Sequence, residues 1–222
     1  MFTLALISQK GNVGKTTTAF SLAVAAAKAG QVAVILDVDP QATATKWEDR
    51  RKRDNPVVVP VPVSLLDREL AKAREAGADL VIIDCPGMNQ SSAIDAARVA
   101  DLVLIPTAAD SIVMETLPTV RNLIRAANDP PAFVVYNFIH PSGSRIADAL
   151  KANTLDFCGL PACPAHLTRR NTYSDAPTYG QAPQEAEPDG AAAAEIERLY
   201  LFISEHVHMS KREHNGERGK KA

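Results

Sequence analysis

Residues Gly11–Thr17 read Gly-Asn-Val-Gly-Lys-Thr-Thr, and each type in that run suits the holding of a phosphate chain. The backbone N–H groups of Gly11, Asn12, Val13, Gly14, Lys15, Thr16 and Thr17 would form an anion cradle if a helix started there. Gly14 lets the backbone approach an anion closely, Lys15 supplies a compact positive charge, and Thr16 offers a hydroxyl to Mg²⁺, an ion that keeps several of its waters. The strict G-x-x-x-x-G-K-[ST] spacing puts Gln9 where the first glycine falls, but the Gly14-Lys15-Thr16 core is intact. Two other segments carry carboxylates. Asp37-Val38-Asp39-Pro40-Gln41 read alone is a strand-end turn. Leu80–Asp84 is an apolar run closing on an acid, the arrangement that holds Mg²⁺ through water in phosphoryl-transfer sites.

These groups need a scaffold, and the hydrophobic pattern supplies one. Apolar runs with β-formers fall at residues 2–8, 32–36, 57–62, 80–83, 102–105 and 132–137, with a last short strand or extended segment at 160–166. Helical stretches fall between them at 16–29, 42–53, 64–76, 91–100, 111–127 and 144–153, and a C-terminal helix covers 189–207. Strands alternating with helices predict an α/β fold with a doubly wound, mostly parallel sheet flanked by helices in three layers. Ligands of such sheets bind beyond the carboxyl ends of the strands. Lys10–Thr17, Asp37, Asp39 and Asp84 all fall there. With 222 residues the chain suits one domain, read here as residues 1–207, followed by a polar, frayed tail at 208–222.

Composition narrows the classes. Hydrophobic residues make up 46%, charged residues 23% and aromatics only 5%, which suits an Ala/Val-rich buried sheet. The net charge of -2 gives no global attraction to nucleic acid, so any such affinity must be local. No secretory signal and no run long enough to span a bilayer is present, and the 3 cysteines, Cys85, Cys158 and Cys163, read as reduced thiols in a cytoplasm. Cys158-x4-Cys163 has no second half for a metal site, and His206-x-His208 alone is a weak one.

Lys10 extends the phosphate loop to Lys-Gly-Asn-Val-Gly-Lys-Thr-Thr, which resembles the deviant Walker A motif K-G-G-x-G-K-[ST] of the ParA/MinD superfamily. Asn12 departs from the glycine usual there, although Asn tolerates a left-handed backbone better than most residues. Asp37–Gln41 looks like the family's D-x-D-P-Q motif, and Ala100–Pro106 is similar to its A-D-x-V-[IL]-I-P strand. Trp47 resembles a residue of the short plasmid-partition branch, and Arg169–Gly180 resembles the R-x-x-x-x-[ST]-[ED]-A-P-x-[YH]-G segment of ParA proteins. The likeness spans roughly Met1–Val207.

The resemblance implies a slow, Mg²⁺-dependent ATPase that binds ATP and ADP and cycles as an ATP-dependent homodimer. By resemblance Lys10 reaches the other subunit's nucleotide, Asp39 positions the attacking water, Asp37 supports the magnesium shell and Asn137 lies near adenine. Gly87 would sense the γ-phosphate through its N–H. No glutamate follows Asp84, which agrees with a switch rather than a motor. The family reading implies non-specific binding to nucleoid DNA and a ParB-like, centromere-bound adaptor that stimulates hydrolysis. The chain starts at its first strand, so operator-specific binding through an N-terminal helix-turn-helix is not expected. Arg169 and Arg170 are the favoured DNA candidates; Arg50–Arg53 reads as a solvated run, and Lys211, Arg212, Arg218, Lys220 and Lys221 as a tail contribution. Three rivals remain. A MinD-like membrane switch needs apolar anchors that Met209–Ala222 lacks. An iron–sulfur carrier needs a different cysteine arrangement. A positioning ATPase for a non-DNA cargo differs only in its adaptor.

Overall fold

The computed structural model of the chain describes residues 1–87 and 89–218. Its strands are β1 (Phe2–Leu6), β2 (Ala33–Asp37), β3 (Val57–Pro60), β4 (Leu80–Asp84), β5 (Leu102–Ala108) and β6 (Ala132–Asn137). Its helices are α1 (Lys15–Lys28), α2 (Thr43–Glu48), α3 (Leu66–Glu75), α4 (Gln90–Val99), α5 (Ser111–Met114), α6 (Leu117–Ala126), α7 (Ser144–Cys158), α8 (Thr172–Asp175), α9 (Pro183–Ala186) and α10 (Ala191–Arg218).

The 6 strands form one sheet in the order β3-β2-β4-β1-β5-β6, and every pair is parallel. The chain runs from β1 out to the β3 edge, returns to place β4 between β2 and β1, and then crosses to β5 and β6, which makes the end of β1 the topological switch point. Alternation along β1 sends Phe2, Leu4 and Leu6 into one core layer, with Phe20, Ala23 and Trp47 beneath α1 and α10. Ala5 and Ile7 enter the opposite layer with Leu70, Ala96, Val120 and Leu160. Both faces of β4 are covered, and Leu80 through Asp84 are all buried, so the strand reads as an unbroken apolar run closing on one acid. Register places that acid: Asp84 lies opposite Asp37 on one side and Leu6 on the other.

Several elements differ from expectation for local reasons. The helix expected over 42–53 is only 6 residues long, and the chain then turns back toward the β3 edge. The helix expected over 111–127 is divided, because Pro118 near the start of α6 has no N–H and crowds the preceding turn. The 160–166 segment is extended beside β6 but joins it through one isolated bridge, Val134 to Ala162, and a second bridge, Ile139 to Thr168, follows just beyond both. Helix α7 runs on to Cys158, where Gly159 closes it at φ 70°. Helix α10 continues past Val207 to Arg218, into the segment read as a frayed tail. Lys220 and Lys221, and the end of that tail at 219–222, lie outside the described residues.

Candidate nucleotide site

The loop after β1 adopts its shape through two left-handed residues. Asn12 has φ 59° and Gly14 has φ 88°, and Gly14 directly precedes α1. Asparagine at 12 is thus compatible with the backbone that the glycine-rich motif demands. At Gly14 a side chain is barred twice: the φ is unfavourable, and a Cβ would stand 2.7 Å from Asn137 Nδ2. Lys15 curls back over the loop. Its Nζ donates to Ser8 Oγ at 3.0 Å and to the Lys10 carbonyl at 3.4 Å, while Ser8 Oγ donates to that same carbonyl at 2.7 Å. Burial lowers the Lys15 pKa, against the pull of the Asp84, Cys85 and Asp39 charges.

Asp84 is the most informative side chain of the site. It is fully buried, and neither carboxylate oxygen has a hydrogen-bond partner of acceptable geometry among the described residues. Burial raises its pKa to about 7; Asp37 and Asp39 add to the rise, while the adjacent Thr16 hydroxyl and Lys15 ammonium oppose it. A buried, unpaired carboxylate is costly and calls for a proton or a cation. Hard oxygen donors of this kind, few in number and beside a phosphate cradle, fit Mg²⁺ that retains water and binds phosphate oxygens.

Asp37, opposite Asp84 in register, is held by hydrogen bonds within the fold. Its Oδ2 accepts from the Thr45 N–H and hydroxyl, both at 2.9 Å, and its Oδ1 accepts from the Asp39 N–H at 3.3 Å. These bonds tie the end of β2 to α2 and hold the intervening turn. Asp37 thus also positions the loop that carries Asp39. Asp39 itself is half-buried at the cleft, with Oδ1 accepting from the Gln41 N–H at 2.9 Å. Gly87 backs onto the phosphate loop: a Cβ there would press on Gly11 N at 3.2 Å and on the Lys10 carbonyl carbon at 3.3 Å.

Two adjoining clefts flank the loop. One, of about 630 Å³, is lined by Lys15, Thr16, Asp39, Gln41 and Gly87 among others. The second, of about 620 Å³, is lined by Asn137, Leu167, Arg169 and Tyr173 among others. Both include Asn12, Gly14, Thr17 and Phe138, so together they form one trough long enough to bend around the loop. Asn137 is buried beneath it. Its Nδ2 donates to the Val13 carbonyl at 2.8 Å and braces the loop, while its Oδ1 is buried without a partner. Phe138, with φ 59° and 43% exposure, stands between the clefts. Nothing in the sequence marks it, because an aromatic after a strand is ordinarily core.

The two DNA candidates separate. Arg170 donates from Nε and Nη2 to Glu195 Oε1 at 3.0 and 2.8 Å. Glu195 also accepts from the Thr168 N–H at 3.0 Å and the Tyr173 hydroxyl at 2.9 Å, so this cluster pins the cleft wall to α10. Burial pushes the Glu195 pKa up, but these hydrogen bonds outweigh it and hold the carboxyl below its usual value. Arg170 is therefore tied to α10 while a third of its side chain stays exposed, and Glu195, missed in the sequence, is its anchor. Arg169 is exposed and lines the second cleft. The expectation of a solvated 50–53 run is also corrected at Arg51, whose side chain is 2% exposed. The thiols are buried, and no cluster of three metal-ligating side chains occurs among the described residues. His206 points Nδ1 at the Phe202 carbonyl, 2.9 Å away.

A phosphate cradle at the switch point of a parallel sheet, with an orphaned carboxylate beside it, defines a P-loop nucleotide-binding protein. Residues 4–183 match the CobQ/CobB/MinD/ParA nucleotide binding domain, and the chain belongs to that family, the P-loop ATPases of the ParA/MinD superfamily. It is 25% identical over 206 residues to the maintenance of carboxysome distribution protein A of Halothiobacillus neapolitanus, covering 87% of this chain and 92% of that protein. It is 26% identical over 231 residues to the chromosome-partitioning ATPase Soj of Thermus thermophilus, covering 88% and 92%. The fold is similar to the septum site-determining protein MinD of Pyrococcus horikoshii complexed with Mg-ADP, with a TM-score of 0.74 at 16% identity, covering 91% of this chain and 95% of that one.

Proposed function

We propose that the chain is a ParA-type partition ATPase, which dimerises on ATP, binds DNA without sequence preference and is reset when a ParB-like adaptor stimulates hydrolysis. In this reading the nucleotide lies along the trough, with its phosphates over Gly11–Thr17 and its base beside Asn137. Lys15 Nζ exchanges Ser8 Oγ and the Lys10 carbonyl for phosphate oxygens. Thr16 and Asp84 hold Mg²⁺, which when bound neutralises charge on the transferring phosphoryl group. Asp39, set by Asp37, orients the attacking water, and the Gly87 N–H reports the γ-phosphate. Because Asn137 Nδ2 is engaged by Val13, only its acceptor Oδ1 is left for a base; that supports adenine, whose exocyclic amine donates.

The observation that carries the switch reading is Lys10. Its backbone belongs to the loop, yet it does not line the phosphate cleft, and no partner for its ammonium occurs among the described residues. A lysine acting on the nucleotide of a second subunit requires that freedom. Nucleoid association in a bacterial cytoplasm follows from this reading. A non-DNA cargo is the second reading, supported by the likeness to a carboxysome distribution protein. A membrane-bound switch is a third reading; no described helix is long and apolar enough to cross a membrane.

The deciding experiment is binding to random-sequence duplex DNA with ATP, ADP or no nucleotide at fixed salt. Binding confined to ATP supports the partition switch. Binding that ignores nucleotide removes the ATP switch, and no binding removes the DNA arm and leaves the other cargo. Lys15→Ala abolishes ATP binding if the site is right, and Asp39→Ala binds ATP but turns over more slowly.

A further inference from the structure

A second set of exposed cations lies away from the two favoured arginines. Arg170 is held by Glu195, and Arg169 faces the nucleotide trough. A walled pocket of about 640 Å³ lies instead between the 50–53 run and the turn at 178–181. Arg51 is its keystone: Nη1 and Nη2 donate to Glu185 Oε2 and Oε1 at 2.8 and 3.0 Å, and Nη1 also reaches the Gly180 carbonyl at 2.9 Å. The guanidinium lies 4.4 Å from the Trp47 ring centre, and its Nε is buried without a partner. This anchoring fixes the backbone on which Arg50, Lys52 and Arg53 are exposed, with Arg50 Nε donating to the Pro177 carbonyl at 3.2 Å. Arg53 is 68% exposed and touches Glu185 at 3.1 Å. The opposite wall approaches closely because Gly180 has φ 66°, and a Cβ there would be 2.5 Å from the Arg50 carbonyl carbon. Tyr179 stands on that wall at 73% exposure.

We propose that this pocket is a binding site for the sugar–phosphate backbone of nucleic acid, with Arg50, Lys52 and Arg53 taking phosphates and Tyr179 lying against the sugar edge. The proposal rests on the DNA-binding reading above and adds where the DNA sits. Fixed cations on a concave wall beside an exposed aromatic suit backbone contact without sequence readout. Asp49 and Asp54 flank the run, so the long-range field is small and the interaction is short-ranged.

The position also offers a route by which nucleotide could control the pocket. One wall follows α2, a helix of 6 residues that begins at the Asp39–Ala42 turn of the phosphate cleft. The other wall is the end of the Arg169–Gly180 segment, whose first part lines the base side of the trough. Both walls are thus continuous with the two clefts proposed to hold the nucleotide.

The test is fluorescence anisotropy on random-sequence duplex DNA with Mg-ATP, over about 50–200 mM salt, for the wild-type chain, Lys52→Ala and Lys52→Ala/Arg53→Ala. A fluorescent ATP analogue checks the nucleotide site of each. Each substitution should lower the slope of log affinity against log salt by about 1. Over that fourfold salt range the wild-type-to-variant ratio then changes roughly 3- to 4-fold per residue. Analogue affinity should stay at the wild-type value. Wild-type DNA binding with unchanged affinity and slope in the double variant would overturn the pocket alone. A parallel loss of analogue affinity in Lys52→Ala would overturn it too, by tracing the effect to the nucleotide site. No DNA binding by the wild-type chain would overturn both this site and the DNA reading beneath it.

Discussion

Gly14→Ala separates the phosphate loop's backbone shape from its charge. The residue sits at φ 88°, where an alanine costs about 1–2 kcal/mol. The new Cβ would also stand 2.7 Å from Asn137 Nδ2, so the amide must move. Moving it breaks the 2.8 Å bond to the Val13 carbonyl and leaves a buried acceptor unpaired, about 1–3 kcal/mol more. The loop thus loses roughly 2–5 kcal/mol of local order. If that order is what binds phosphate, nucleotide affinity falls by a factor on the order of 30 or more. The assay is titration with a fluorescent ATP analogue, together with urea denaturation, on Gly14→Ala, Asn137→Ala and the double variant. Asn137→Ala removes the obstructing amide, so the double variant should fall short of the sum of the single losses, with a coupling of about 1 kcal/mol or more. Strictly additive losses, or wild-type affinity in Gly14→Ala, would refute the argument that Asn137 and Gly14 shape the loop together.

Other substitutions probe the walls of the trough. Arg170→Ala leaves buried Glu195 without its cation and should destabilise the fold by about 2–4 kcal/mol in urea, whereas exposed Arg169→Ala changes stability by less than about 0.5 kcal/mol. Glu195 and Glu185 both sit below their usual carboxylate pKa, so their contribution is present above about pH 4.5 and lost as pH falls through the lower folded values. Acid titration followed by circular dichroism should therefore show a smaller loss of stability below about pH 4.5 in Glu195→Gln than in the wild-type chain. Trp47 is 1% exposed, stacked on Phe20 at 4.6 Å and bonded to the Gln181 carbonyl; Trp47→Ala should cost about 3–5 kcal/mol by denaturation followed in the far ultraviolet. Asp84→Asn removes the orphaned carboxylate and should abolish the Mg²⁺ dependence of nucleotide binding measured by calorimetry.

The alternation of apolar runs with helical stretches and the Gly14-Lys15-Thr16 core were enough to determine a parallel sheet with a phosphate loop after its first strand. That holds because period and turn chemistry are local properties of the chain. Asp84 was legible for the same reason, as an acid closing an apolar run. The partners of Asp37 and Arg170 within the fold were not legible. An acid beside a nucleotide motif invites a metal, and an arginine invites DNA, but each is committed to a partner that tertiary folding supplies: Thr45 across the turn and Glu195 on a distant helix. Arg50–Arg53 reads as uniform surface charge in the chain. Only the approach of Gly180 and Glu185, more than a hundred residues later, buries Arg51 and leaves its neighbours on the rim of a pocket. Residue type sets what a side chain can bond; which bond it makes is decided by the groups that long-range packing brings within reach.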